Sequence, residues 1–273
     1  MNKTFDSSIL SQDAVIAIDL HGTLLDQQWT ISLMNQQILC NLLQRLKEHA
    51  EIYICTGNNL NFVDATIPQE IRRLFTGSIL ESGCVLFKDN KKIILTDQQL
   101  KVKRDLLEKF FRQKKYSFVQ YFAERETTIS IFTVDRNGED PPISFLPRIW
   151  KDFSSCDWND DFYLTYSDVA FDFIPTSFNK WKTLQQVAQN KIIFSIMDGY
   201  NDKEVALNSD YSFLPHNCSR QLVNYLRANN RLVWEWEKFH FRKNQAYLVN
   251  NSFTEGVIDC LYFIHSYFDR ARK

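Results

Sequence analysis

Residues 14–57 read as a strand, a helix and a second strand, and that order leaves few folds open. AVIAID, residues 14–19, is short, almost wholly apolar, rich in β-branched residues, and ends in an acid. Strands of a parallel sheet covered on both faces have this composition. From Ser32 to about His49 apolar residues recur at helical spacing, with Leu39, Leu42, Leu43 and Leu46 on one side and Ser32 placed to cap the first turn. EIYICTG, residues 51–57, follows as a second buried strand that ends at Thr56-Gly57. Such a βαβ unit crosses over right-handed onto a parallel sheet. A third strand is expected at 78–82.

The remaining chain changes pattern twice. CVLFKDNKKIIL, residues 84–95, reads as a hairpin, residues 97–115 as a helix rich in Lys and Arg, and SFVQYFAE and TTISIFTV as half-buried antiparallel strands. The turn DRNGEDPP, a short helix over 146–153, and the strands FYLTYS and VAFDFIP follow. After Pro175 the α/β rhythm resumes with a helix at NKWKTLQQVAQN, a buried strand at KIIFSIMD, a short helix at DKEVALN and a brief strand at YSFLP. A helical stretch is expected from Ser219 through the aromatic-rich segment to about Asn244, then a strand at AYLV and a closing helix over 254–268. The fold class expected is α/β. A Rossmann-like parallel sheet core (1–82 and 177–273) receives an inserted α+β unit (83–176).

Composition excludes several functional classes. Of the 273 residues 44% are hydrophobic and 24% charged, which rules out disordered, collagenous and coiled-coil chains. Lys and Arg total 32 against 33 Asp and Glu, so no global field favours nucleic acid or an anionic membrane, and neither is an expected partner. The six cysteines form no CxxC pair, as expected for reduced thiols in a cytoplasmic protein. The polar start, and the lack of any apolar run near the 18 or so residues of a membrane span, predict neither signal peptide nor membrane helix.

Ligands of open parallel sheets bind at the carboxyl ends of the strands. Three expected strands end there in chemically loaded residues: Asp19, Thr56 beside Gly57, and Asp198 with Asp202 in MDGYND. Lys180, opening a helix, is a fourth. Carboxylates suit Mg²⁺, which prefers hard oxygen ligands and keeps several waters. A hydroxyl and an ammonium beside that cation complete a cradle for a phosphoryl group. Each residue also has a plainer reading: Asp19 and Thr56 as turn or capping residues, Lys180 as a solvated helix residue with Lys182 as its rival, Asp202 as an N-cap.

The set resembles the haloacid dehalogenase-like (HAD) superfamily, and its order along the chain resembles the Cof-like branch, where a cap domain enters after the third strand. IDLHGTLLD is similar to the first motif, DxDGTxxD, and implies Asp19 as nucleophile. ICTG is similar to the second, with Thr56 as phosphate-binding hydroxyl beside Gly57, and NKWKTL to the third, with Lys180 as phosphate-binding lysine. MDGYND is similar to the fourth, GDxxND, which implies Asp198 and Asp202 as magnesium ligands or their supports. LESGCVLF and FTEGVIDCL resemble the segments that lead into the cap and close the chain. The resemblance implies a magnesium-dependent phosphomonoester hydrolase of a small phosphorylated metabolite, a sugar or polyol phosphate, working through an aspartyl-phosphate on Asp19.

One departure bears on that reading. His21 stands where the pattern has the aspartate that protonates the leaving group and then activates water. Loss of such a group costs about 10² to 10⁴ in rate. The main-chain carbonyl of His21, a metal ligand in the family, survives the change. Imidazole is a base more than an acid at neutral pH. The alternative is therefore a catalytically weakened, phosphate-binding or regulatory member. Met197 replaces a glycine of the fourth motif and is expected to crowd the turn. Trp181 follows Lys180 where a small residue is usual, and is expected to narrow the pocket or displace the lysine. His49, His216, His240 and His265 read as surface or packing residues, and the basic helix at 101–115 as a solvated face.

Overall fold

Two sheets organise the residues that the computed structural model describes, 14–133, 142–167, 169–235 and 241–271. The larger contains β1 (Ala14–Ile18), β2 (Ala50–Cys55), β3 (Gly77–Leu80), β4 (Val85–Lys88) and β5 (Lys91–Ile94). The smaller contains β6 (Val119–Phe122), β7 (Ile129–Thr133), β8 (Phe162–Tyr166) and β9 (Ala170–Pro175). β10 (Ile192–Ile196), β11 (Tyr211–Leu214), β12 (Val233–Glu235) and β13 (Gln245–Leu248) return to the larger sheet. Its order is β12-β13-β11-β10-β1-β2-β3-β4-β5, parallel throughout except for the last two strands. The helices are α1 (Leu33–Leu46), α2 (Leu60–Thr66), α3 (Gln69–Arg72), α4 (Gln98–Lys114), α5 (Leu146–Ser154), α6 (Lys180–Ala188), α7 (Lys203–Asn208), α8 (Arg220–Ala228) and α9 (Phe253–Ala271).

The two-sided burial of β1 explains its composition. Ala14, Ile16 and Ile18 pack into a cluster with α1 and α9, while Val15 and Ala17 pack against α6, α7 and α8 on the other face. On α1, Leu39, Leu42, Leu43 and Leu46 are buried and the Ser32 hydroxyl accepts from the Asn35 amide. Each buried leucine is worth about 1.5–3 kcal/mol relative to exposure. The small sheet, ordered β6-β7-β9-β8, has one apolar face: Ile129, Ile131, Phe162, Phe171 and Phe173 meet Leu107 and Phe111 of α4 and Ile149 and Phe153 of α5. Of the basic residues of α4, Lys101, Lys109, Arg112 and Lys114 are exposed, whereas Arg104 is largely buried and donates to the Thr128 carbonyl.

Two expectations need correction. The hairpin at 84–95 forms, but β4 pairs antiparallel with β3, Ile79 opposite Leu86, so both strands extend the large sheet rather than the inserted unit. Its tight turn carries Asp89 and Asn90 in left-handed conformation, as two-residue hairpins need, and the free edge of β3 takes the strand that follows it most closely. The helix beginning at Ser219 stops at Ala228 instead of continuing to Asn244. Asn230 turns left-handed and Arg231 then folds inward. Its guanidinium donates to the carbonyls of Leu207, Ser209 and Gln245 and to the Ser212 hydroxyl. A cation held through both terminal nitrogens by that many fixed acceptors fixes the loop and launches β12. Trp234 and Phe241 pack against the core, whereas residues 236–240 of the aromatic segment, His240 among them, and the DRNGEDPP turn up to Pro141 lie outside the described residues. All six cysteines are free thiols, and among the described residues no helix is long and apolar enough to cross a membrane.

Candidate active site

Asp19 leaves the carboxyl end of β1 with its amide bonded to the Ile196 carbonyl of β10. One strand over, Asp198 follows β10, and the 3₁₀ turn Tyr200–Asp202 carries Asp202 in beneath it. One oxygen from each of Asp19, Asp198 and Asp202 lies within 4.8 Å of the others. Lys180 enters from the first turn of α6, only 4% exposed, and its Nζ lies 2.6 Å from Asp19 Oδ1 and 2.5 Å from Asp202 Oδ1. Lys182, the rival lysine, is exposed and donates to the carbonyls of Thr176 and Ser177. Asp202 opens α7 but makes no side-chain cap; its carboxylate is turned to Lys180 instead.

The backbone around this cluster tolerates little. Gly22 has φ +80°, and a Cβ there would lie 2.5 Å from Asp198 Oδ2. Thr23, which sequence reasoning missed, donates its hydroxyl to Asp198 Oδ1 at 2.7 Å. Gly83 has φ +97° and abuts the Asn179 carbonyl, and its own carbonyl accepts from Thr183 at 2.6 Å, so the loop after β3 clamps the first turn of α6. Met197 points into the apolar cluster on the α6 side rather than into the turn, and Trp181 packs against that cluster as well. Lys180 keeps its reach to Asp19 and Asp202.

Thr56 is buried where β2 ends, its amide bonded to the Ile79 carbonyl; its hydroxyl accepts from the Asn58 amide and side chain, each at 3.2 Å. Gly57 follows on the same turn, close to the Ser82 hydroxyl. Among the described residues the cluster of converging ligand atoms comprises the three carboxylates and does not include the His21 imidazole. Its Nε2 accepts the indole N–H of Trp29 at 2.7 Å, the rings meeting edge-on. That donor assigns Nε2 as unprotonated. Trp29 in turn packs edge-on against Phe62 of α2.

The small sheet rests on the large one beside this site. Glu81, 1% exposed, accepts the amides of Glu126, Thr127 and Thr128 and the Thr127 hydroxyl, all from the β6–β7 loop. Arg125 of the same loop donates to Asn58 Oδ1 at 2.7 Å, and the Asn59 amide group donates to the Glu124 carbonyl. On the opposite side, Tyr166 of β8 meets Tyr200 and donates to Gln221 of α8.

Charge is out of balance in the cluster, and the acids show it. Burial, reinforced by the Asp19 carboxylate, pushes the half-buried Asp198 well above the usual carboxylate range despite the Thr23 hydrogen bond. Burial pushes Asp202 up to about 7, with Lys180 opposing. Burial pulls Lys180 down, but Asp19 and Asp202 more than offset it and hold its pKa above the ordinary value. Burial likewise pushes the nearby thiols of Cys55 and Cys218 up, the latter to about 12, which excludes them as thiolate nucleophiles. Asp202 Oδ2 is buried and accepts no hydrogen bond. Three convergent carboxylates, one with an orphaned oxygen, fit a hard divalent cation.

A pH dependence follows. In the folded protein Asp202 holds its proton up to about pH 7, whereas in the unfolded chain it releases it near 4. The unfolded state therefore binds fewer protons between those values, and metal-free stability falls as pH rises from about 4 to 7. Thermal melts in chelator at pH 5 and 7.5 should show the loss, and added Mg²⁺ should restore stability more at pH 7.5. Melting that is independent of pH and of Mg²⁺ would refute this electrostatic account.

Residues 16–155 match the family model for haloacid dehalogenase-like hydrolases. Sequence comparison with curated proteins finds no relative. Among solved structures, SMU.1108c of Streptococcus mutans UA159 superposes with a TM-score of 0.67 at 16% identity, over 92% of this chain and 98% of that one. The sucrose-phosphatase of Synechocystis sp. PCC6803, in complex with sucrose and phosphate, gives 0.62 at 14% identity over 92% and 98%. The C-terminal domain of C. albicans trehalose-6-phosphate phosphatase gives 0.63 at 13% identity over 94% and 93%. These likenesses show a common fold. With just over half of its length matched by the family model and that fold carried almost end to end, the chain belongs to the haloacid dehalogenase-like hydrolases.

Proposed function

We propose that the protein is a cytoplasmic phosphomonoester hydrolase of a small phosphorylated metabolite, a sugar or polyol phosphate, with Mg²⁺ as cofactor and Asp19 as nucleophile. The observation that carries this reading is the meeting of Asp19, Asp198, Asp202 and Lys180 at the carboxyl ends of adjacent parallel strands. Two structural relatives are phosphatases of sugar phosphates by name, and their fold is this fold.

Asp19, Asp198 and Asp202, with the main-chain carbonyl of His21, would hold the cation, which when bound neutralises charge on the phosphoryl oxygens. Lys180 fixes Asp19 Oδ1, so the other carboxylate oxygen, which no protein donor holds among the described residues, is the one presented to phosphorus. Its in-line attack forms the O–P bond as the ester P–O bond breaks, giving an aspartyl-phosphate that water then hydrolyses. Thr56, Gly57 and Lys180 bind the transferring oxygens. The four-stranded layer acts as the cap that excludes water and selects the substrate.

His21 is the weak member. With Nε2 occupied by Trp29, the imidazole can take a proton from water only by giving up that bond. This favours, as the second reading, a slow enzyme or a phosphate-binding regulator. Assays on sugar, polyol and aryl phosphates with Mg²⁺ should show slow turnover by the wild type, abolished by chelator. His21→Asp should raise it by about 10²-fold or more. Two inert proteins that still bind vanadate and Mg²⁺ would establish the regulator, and failure to bind either would end both readings.

A further inference from the structure

The small sheet has a second face, and the alternation of its strands decides what that face carries. Phe171 and Phe173 of β9 point into the apolar cluster under α4 and α5, so Asp172 between them points the other way. The same holds for Ser130 between Ile129 and Ile131, and for Tyr163 and Thr165, which alternate with Phe162 and Leu164. Ser130, Asp172 and Thr165 sit side by side across β7, β9 and β8. This polar face looks toward the large sheet, since Lys180 acts electrostatically on both Asp172 and Tyr163, and Asp172 acts on Asp202.

A carboxylate in the middle of a sheet is costly unless something uses it. Ser130 donates to Asp172 Oδ1 at 2.5 Å, whereas Asp172 Oδ2 takes no hydrogen bond from any described residue. Beside it Arg125, bonded through Nη2 to Asn58 and so one residue removed from the Thr56 hydroxyl, keeps a buried Nε with no acceptor. Arg125 and Asp172 are within electrostatic reach of each other yet form no ion pair. One open carboxylate oxygen and one buried donor without an acceptor thus lie close to the phosphate-binding groups, Asp172 through its electrostatic contact with Lys180 and Arg125 through Asn58 to Thr56.

We propose that Asp172 reads the organic part of the substrate by accepting a hydroxyl through Oδ2, so that the site selects phosphate esters of polyhydroxylated compounds over esters with no hydroxyl. Arg125 donates to an oxygen of the same group and ties its position to the phosphate loop through Asn58. The inference rests on the phosphatase reading and adds to it the residue that sets the substrate class.

The test separates reader from phosphate site by using binding without turnover. In a full-length Asp19→Asn background with Mg²⁺, the dissociation constants of glucose 6-phosphate and phenyl phosphate are measured by titration calorimetry, with Asp172 intact and with Asp172→Ala. Loss of one charge-assisted hydrogen bond predicts weaker glucose 6-phosphate binding by about 10- to 100-fold. Phenyl phosphate binding should change by less than about threefold. If Asp172→Ala does not fold, the isosteric Asp172→Asn shows the same selectivity with a smaller loss. Equal changes for the two esters, or none, overturn the assignment of Asp172 while leaving the phosphatase reading intact. If neither ester binds while Asp172 is intact, the phosphatase reading falls and takes this inference with it.

Discussion

Replacing Asp19 by asparagine should lower kcat/KM by about 10⁴-fold or more, the scale seen when a covalent nucleophile is removed. An amide has the shape of the carboxylate but neither its charge nor its capacity to form the acyl phosphate. The same change should make the metal-free protein more stable, because Asp19 is the neighbouring charge that most raises Asp198. Removing it lets Asp198 ionise at less cost and leaves Lys180 paired with Asp202. Activity assay and calorimetry on one sample check both parts. A variant that keeps more than a few per cent of activity would remove Asp19 from the mechanism, and one that also melts lower would show that Asp19 is a structural anchor instead.

Lys180→Met should be the most damaging single change to the cluster. Nζ is the only cation in contact with Asp19 and Asp202 among the described residues, and both pairs are buried. Breaking a buried ion pair from one side costs about 3–5 kcal/mol, because the partner charge is left uncompensated. The carboxyls can escape by taking up protons, so the loss should be larger at pH 8 than at pH 5. Divalent cation should recover part of it, since a bound cation supplies the missing charge, yet kcat/KM should remain down by about 10³-fold for want of the phosphate-binding ammonium. Denaturant melts at the two pH values, with and without Mg²⁺, test this. A loss of less than about 1 kcal/mol at both would mean that water, not Lys180, balances the acids.

What was legible in the sequence follows from where the physics is local. The strand–helix–strand opening could be read because β1 is covered on both faces and α1 on one, which fixes apolar runs and apolar spacing directly. The four polar residues at strand ends could be read because parallel topology sends all those ends to one side. Partner choice was harder. The β4–β5 hairpin reads the same whichever sheet it joins, and Ile93 and Ile94, nearly half exposed at the edge, mimic a buried pattern. The end of the helix at Ala228 is hard to read because an arginine in a helical run looks solvated, while Arg231 is 4% exposed. Trp29 on His21 had no signal at all, as it joins loop residues eight apart with no periodicity. Asp172 carries one: an acid flanked by two phenylalanines on a strand belongs to the opposite face.

The grip of Glu81 on the β6–β7 loop falls on peptide nitrogens almost alone. Such an attachment is blind to which side chains the loop carries at 126 and 128, and asks only that its backbone keep its course. Mutational drift can therefore rewrite the surface around the loop without undocking it. The anchorage of the upper layer and its chemical preferences are free to evolve separately, each at its own pace.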